Sequence, residues 1–338
     1  MGCRLAICVD KSGHGIQKDA AILKAALQDL GISAEIIFTG NSVFQNKIPW
    51  RFRRGFFLFI ALFFKFLTVF YSKKYHLMVH IQRVNPFLSV NSERNFLIPN
   101  QEWYSNNAIP LLGLVDTVLV KTKYAEKIFS RIKSDTRFIG FTSTEQALTY
   151  QPPSFDRGVC YFHRAGNSAT RGTKTLLKLW QKHPEWPELT VLIGKHRLPD
   201  LSIPENVRVI TDFLSDDEFE SMMREHPFHI HPTMTEGYGL TLSEGLSLGC
   251  IPIVTDAPPM NEIASRDFSF LVEATAKGRK GLSELFEVDG DALERVIDQT
   301  AMMTMQELLL MASKGQAWHQ SNYEMFKDNL NNVFAANL

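Results

Sequence analysis

The stretch from 228 to 256 constrains the fold most. Phe228-His229-Ile230-His231 is a short half-apolar run, and Glu236-Gly237-Tyr238-Gly239 is a loop able to expose backbone amides. Leu240 to Leu248 follows a helical pattern, and Ile251-Pro252-Ile253-Val254 is a second apolar run. The order is strand, glycine-rich loop, helix, strand. A glycine loop feeding a helix N-terminus favours anions, because the first amides lack intrahelical partners and the helix dipole adds to them. Yet two carboxylates, Glu236 and Glu244, stand eight positions apart in this stretch. They would repel a bare phosphate. They suit a ligand that carries hydroxyl groups on both sides of its phosphates, since ionised carboxylates accept strongly from hydroxyls.

The same alternation runs through the rest of the chain. Leu5 to Val9, Ala34 to Phe38, His76 to Ile81, Asn95 to Pro99, Val115 to Val120 and Arg137 to Gly140 read as strands of a first half, with helices from Ile16 to Leu30 and Lys123 to Ile132. Gln82 to Arg94 reads as polar loop. Gly158 to Phe162 restarts the pattern, followed by a helix from Lys174 to Gln181 and strands at Leu189 to Gly194, Val207 to Ile210 and Phe268 to Val272. Ser215-Asp216-Asp217-Glu218 opens a helix with a capping box, which accounts for those acids structurally. Asp291 to Met311 reads as a helix and Lys314 to Leu338 as helical to irregular. Alternating strands and helices over 338 residues predict an α/β chain of two doubly wound domains. The expected boundaries are a first domain at 1–145, a linker at 146–157 containing Pro152-Pro153, a second domain at 158–315, and a tail at 316–338 that packs back on the first.

Lysine plus arginine and aspartate plus glutamate both number 36, so net charge gives no reason to expect a nucleic-acid partner. Cys3, Cys8, Cys160 and Cys250 show neither disulfide nor zinc spacing, which points to a reducing cytoplasm. Lys11, Lys18 and Asp19 interrupt the N-terminal apolar run too early for a signal peptide. Asp10-Lys11-Ser12-Gly13-His14-Gly15 matches neither a dinucleotide nor a P-loop fingerprint, so no such cofactor is expected. His229 and His231 point the same way along a strand but lack carboxylates at ligand spacing. Packing is their expected role, and no metal is expected.

Glu236 to Glu244 resembles the E-x7-E signature of family-4 glycosyltransferases, whose fold is the glycosyltransferase-B fold of two Rossmann-like domains facing across a cleft. His231-Pro232-Thr233 before it and Gly249 to Val254 and Glu262 after it agree with that frame. The resemblance implies a retaining, metal-independent transfer of a hexose-type sugar from a nucleoside-diphosphate sugar to a glycan or lipid-linked acceptor, in surface polysaccharide or glycolipid synthesis. It assigns Glu244 to the ribose hydroxyls and Glu236 to the transferred sugar. The amides of Gly237, Tyr238, Gly239, Leu240 and Thr241 would line the sugar and diphosphate. Arg171-Gly172 resembles the family's Lys-Gly pair and Arg164 its first cation, both reaching the donor diphosphate, with Lys195 as an optional further contact. Fixed guanidinium groups can stabilise a leaving diphosphate; the alternative is solvated loop arginines.

In the first half, Gly13 and Gly15 stand where the family's first loop approaches the donor, with His14 a candidate contact; the alternative is a plain tight turn. Many relatives carry a histidine near the edge where this chain has Asn100-Gln101-Glu102. Glu102 is the candidate acceptor or sugar contact, against the alternative of a helix N-terminal acid paired with a cation. These departures keep open a catalytically silent binding or scaffold subunit.

Between Arg51-Phe52-Arg53-Arg54 and Lys73-Lys74 lies an apolar run, Phe56 to Tyr71, in which seven of sixteen residues are Phe. As a helix of ~1.5 Å per residue it would span ~24 Å, short of the ~30 Å hydrocarbon core. Basic ends and an aromatic middle fit a helix lying in an anionic membrane surface, on the inner face of a membrane. The alternative is a helix buried against the sheet.

Overall fold

The computed structural model describes residues 4–11, 13–40, 49–143, 158–166, 168–335 and 337. The linker placed at 146–157 lies outside them. The chain divides into two compact units, one of Met1–Phe141, Lys280–Ser283 and Glu324–Leu338, the other of Thr142–Arg279 and Glu284–Tyr323.

The first unit contains β1 (Leu5–Asp10), α1 (His14–Asp29), β2 (Ala34–Thr39), α2 (Trp50–Leu67), β3 (Tyr75–Ile81), α3 (Pro86–Ser89), β4 (Ser92–Ile98), β5 (Thr117–Val120), α4 (Lys123–Phe129) and β6 (Thr136–Phe138). Its strands form one sheet in the order β2-β1-β3-β4-β5-β6, every pair parallel. Parallel strands are covered on both faces, so β1 and β3 are almost wholly apolar and buried. Three expectations shift here. α2 begins at Trp50 rather than Phe56, led in by Pro49, whose φ of −54° is already helical. It ends at Leu67, where Val69 and Phe70 close tighter turns onto Phe66 O and Leu67 O. The polar loop from Gln82 to Arg94 contains α3, nucleated by Asn85 Oδ1 accepting from Phe87 N and Leu88 N, and β4 starts at Ser92.

The second unit contains β7 (Tyr161–Gly166), α5 (Thr173–Lys182), β8 (Leu189–Ile193), β9 (Val207–Ile210), α6 (Asp216–Arg224), β10 (Phe228–His231), α7 (Leu240–Ser247), β11 (Ile251–Thr255) and β12 (Phe270–Val272). β13 (Ala274–Lys280) and β14 (Ser283–Val288) pair with each other, and α8 (Gly290–Ala301) and α9 (Met305–Ala335) complete the chain. The second sheet runs β12-β11-β10-β7-β8-β9, again all parallel. Its core joins Tyr161, Trp180, Leu189, Phe228, Ile251 and Leu293. Ser215 and Glu218 form the expected capping box at α6.

The helix expected from Asp291 to Met311 is divided in two, and the tail expected to be helical to irregular is helical to Ala335 as part of the second. The second is started by a box of its own: Thr304 Oγ1 accepts from Glu307 N, and Glu307 Oε2 from Thr304 N.

Candidate functional site

In an open parallel sheet, ligands bind beyond the strand C-termini where neighbouring strands lead their connections in opposite directions. In the second sheet that point lies between β7 and β10, paired through Phe228 with Tyr161 and His229 with Phe162. Arg164 lies near the end of β7 and Arg171 in the loop after it, while Glu236 and Glu244 follow β10.

Gly172 sets the loop after β7. Its φ is +76°, and a Cβ there would meet Pro232 O at 2.2 Å. The loop therefore lies directly on the segment after β10, where Met234 N also donates to Thr170 O at 2.8 Å. This contact brings Arg171 into an ion pair with Glu236. Arg164, at the end of β7, donates from Nη1 to Thr241 Oγ1 at 3.3 Å and to Glu244 Oε2 at 3.4 Å. Its guanidinium also sits 4.3 Å from the centroid of the Phe219 ring. Each cation of the expected diphosphate site thus faces one carboxylate of the expected hydroxyl sites.

Helix α7 carries Glu244 and is buried from Thr241 to Ser247, polar residues included. Two glycines let it sit so deep. Gly239, its N-cap, has φ +114° and lies where a Cβ would meet Ile263 Cδ1 at 2.7 Å. A Cβ at Gly245 would stand 2.8 Å from His229 Nδ1. The amides of Leu240 and Thr241 head the helix, where no intrahelical acceptor precedes them.

Tyr238 does not reach a ligand through its side chain. Its ring is buried, its hydroxyl donates to Ser243 Oγ at 3.5 Å, and Asn322 Nδ2 donates to it at 3.2 Å. It anchors the loop, and only its main chain can serve as expected. Lys195 is exposed in a 3-10 turn at Lys195–Arg197.

Three histidines underlie the site. His163 bridges Ile230 O and Thr173 Oγ1, at 2.9 Å each, and burial with the nearby Arg171 charge lowers its pKa to about 4. His229 faces Met223 O and is pushed down to about 3 by burial. His231 is lowered well below the ordinary value by burial, then by His229, His163 and Arg171. They are neutral packing groups. Among the described residues no group of three or more His, Cys, Asp or Glu side chains could hold a metal ion.

In the first unit, Gly13 is the N-cap of α1, and His14 and Gly15 lie exposed in its first turn, just beyond β1. Glu102 is buried in a 3-10 turn at Gln101–Trp103. Gly281 packs there, a Cβ on it falling 2.7 Å from both Gln101 O and Glu102 O, and Leu282 N donates to Gln101 O at 2.9 Å. A cluster absent from the sequence reading lies at the ends of β4 and β5. Lys121 Nζ contacts Asp19 Oδ2 at 2.5 Å and Asn100 Oδ1 at 3.0 Å, and lies 4.4 Å from the Phe141 ring centroid. The one clue was Asp19 on a helix face otherwise occupied by Ile22, Leu23 and Leu27.

No protein-family model matches the chain, and no curated protein sequence does. Solved structures do. A glycosyltransferase from Rickettsia africae ESF-5 superposes with a TM-score of 0.68 at 13% identity, over 99% of this chain and 98% of that one. The sucrose-phosphate synthase of Thermosynechococcus elongatus gives 0.69 at 13% identity, over 99% of each chain. The catalytic domain of starch synthase IV from Arabidopsis thaliana, bound to ADP and acarbose, gives 0.62 at 10% identity, over 98% of this chain and all of the other (100%). The chain has the glycosyltransferase-B fold of two Rossmann-like domains. At such identities the likeness speaks for the fold alone.

Proposed function

We propose that the chain is a retaining glycosyltransferase that moves a hexose-type sugar from a nucleoside-diphosphate sugar to a glycan or lipid-linked acceptor. The observation that carries this is the pairing of Arg171 with Glu236 and Arg164 with Glu244 beside the β7–β10 switch point. A donor would exchange partners rather than enter an empty field. Its diphosphate takes the guanidinium groups, while the ribose hydroxyls take Glu244 and the sugar hydroxyls take Glu236. The amides from Gly237 to Thr241 then line the sugar and diphosphate. A ligand with anions flanked by hydroxyls fits that set; a bare phosphate does not.

In the reaction the bond from the anomeric carbon to the diphosphate oxygen breaks, and a bond to the acceptor oxygen forms on the same face. The departing diphosphate takes the acceptor proton, and Arg171 and Arg164 stabilise the charge it gathers. No protein nucleophile and no metal is needed on this route. Surface polysaccharide or glycolipid synthesis is the setting that suits such an acceptor. That the starch synthase of the same fold is bound to ADP supports a nucleoside diphosphate as part of the donor.

The test is a panel of UDP-, GDP- and ADP-sugars, scored for binding and for nucleoside-diphosphate release. One donor should bind and turn over, with E236Q and R171A each slowing release by about 10²–10³-fold. Failure of every donor to bind or release diphosphate would overturn the proposal.

A further inference from the structure

α2 is amphipathic in an unusual sense. Phe57, Ala61 and Phe64 are buried and join Leu111, Leu112 and Leu114 in the core of the first unit. The opposite face is apolar too. Phe52, Phe59, Leu62, Phe63 and Phe66 are 59, 64, 61, 46 and 63% exposed, and Phe70, just past the helix, is 68% exposed. With 3.6 residues per turn, 52, 59, 63, 66 and 70 form one stripe. Phe87 of α3, also 64% exposed, packs edge-on against Phe64 of the inner face at 4.7 Å. Isolated exposed apolar residues are ordinary, whereas a contiguous aromatic stripe of this kind marks a binding surface.

Charge selects the occupant. From 36 to 92 the sequence has no Asp or Glu and eight Lys or Arg. Arg51, Arg54 and Lys65 are exposed along one flank of α2, beside the stripe rather than within it, and Lys74 is exposed beyond the helix end. A protein partner that matched this stripe would need a large apolar patch ringed with acid. A lipid surface supplies apolar depth and anionic headgroups at once. Spanning is excluded for this helix, because its inner face is part of the unit's core and no described helix is long and apolar enough to cross a membrane.

We infer that the outer face of α2 docks on an anionic lipid surface, lying in the plane of the headgroups with its phenylalanines inserted. This is independent of the transfer reaction, and the experiment reads binding alone. The full chain is mixed with vesicles of phosphatidylcholine, with and without phosphatidylglycerol, and sedimented. It should bind the anionic vesicles, and R51Q/R54Q/K65Q should weaken that binding on the order of a hundred-fold, at about fivefold per cation removed. F59S/F63S/F66S should abolish it with an unchanged melting temperature, since those side chains are exposed. Binding should also weaken as salt is raised. Failure of the unaltered chain to bind anionic vesicles at low salt would overturn the inference. So would a concentration-dependent dimer in lipid-free buffer that F59S/F63S/F66S disperses, because a second copy would then be the occupant.

Discussion

One methyl group tests how the two loops of the second unit are held. At Gly172 a Cβ would collide with Pro232 O and would also have to adopt a left-handed backbone. G172A is therefore expected to destabilise the second unit by on the order of 3 kcal/mol, seen as a lowered urea midpoint. At this scale the donor-side charges were legible because the motif is local. Glu236 and Glu244 share one loop and helix, and Arg164 and Arg171 share one strand end and the loop after it. Which cation faces which carboxylate was not legible, because Arg164 and Glu244 are 80 positions apart in the chain. Nor was the Lys121–Asp19 contact, which joins groups 102 positions apart: Asp19 stands out on an apolar helix face, but nothing local names its partner. The resemblance implies a main-chain role for Tyr238; that its phenol turns inward, to Ser243 and Asn322, is decided by packing.

Among the elements, α2 offers the clearest contrast. Phe64 is 5% exposed and in the core, so F64A should cost about 3–5 kcal/mol, measured by chemical denaturation. The neighbouring Phe63 side chain is 46% exposed, and F63A should stay within about 0.5 kcal/mol. The strands were readable because parallel sheets need continuous apolar runs. β13 and β14 were not, since Ala-Thr-Ala-Lys-Gly-Arg-Lys is mostly exposed and shows no alternation. The capping box at Thr304 and Glu307 is masked in the sequence, because the apolar period on either side of it reads as one helix.

At the scale of the whole molecule, buried histidines tie stability to pH. His80, His163 and His319 are each lowered to about 4, and His229 to about 3, with burial the main cause in every case. Unfolding restores their ordinary value near 6.5, so between ~6.5 and ~4 the unfolded chain binds more protons than the folded one. The stabilising preference for neutral rings is thus complete above ~6.5 and is lost as pH falls through the folded values. Each ring contributes a slope of up to about 1.4 kcal/mol per pH unit. Urea midpoints at pH 7.5, 6 and 5 should fall in that order, and H80Q should flatten the decline.

The cysteines give the two units separate clocks. Cys8 lies in β1 of the first unit and Cys250 beside β11 of the second, both buried, with burial pushing each thiol up to about 12. A buried protonated thiol does not react with alkylating reagents, so labelling at either position waits for its surroundings to open. Pulsed alkylation followed by peptide mass spectrometry would time the opening of each unit in the same sample. G172A should accelerate labelling at Cys250 and leave Cys8 at its original rate.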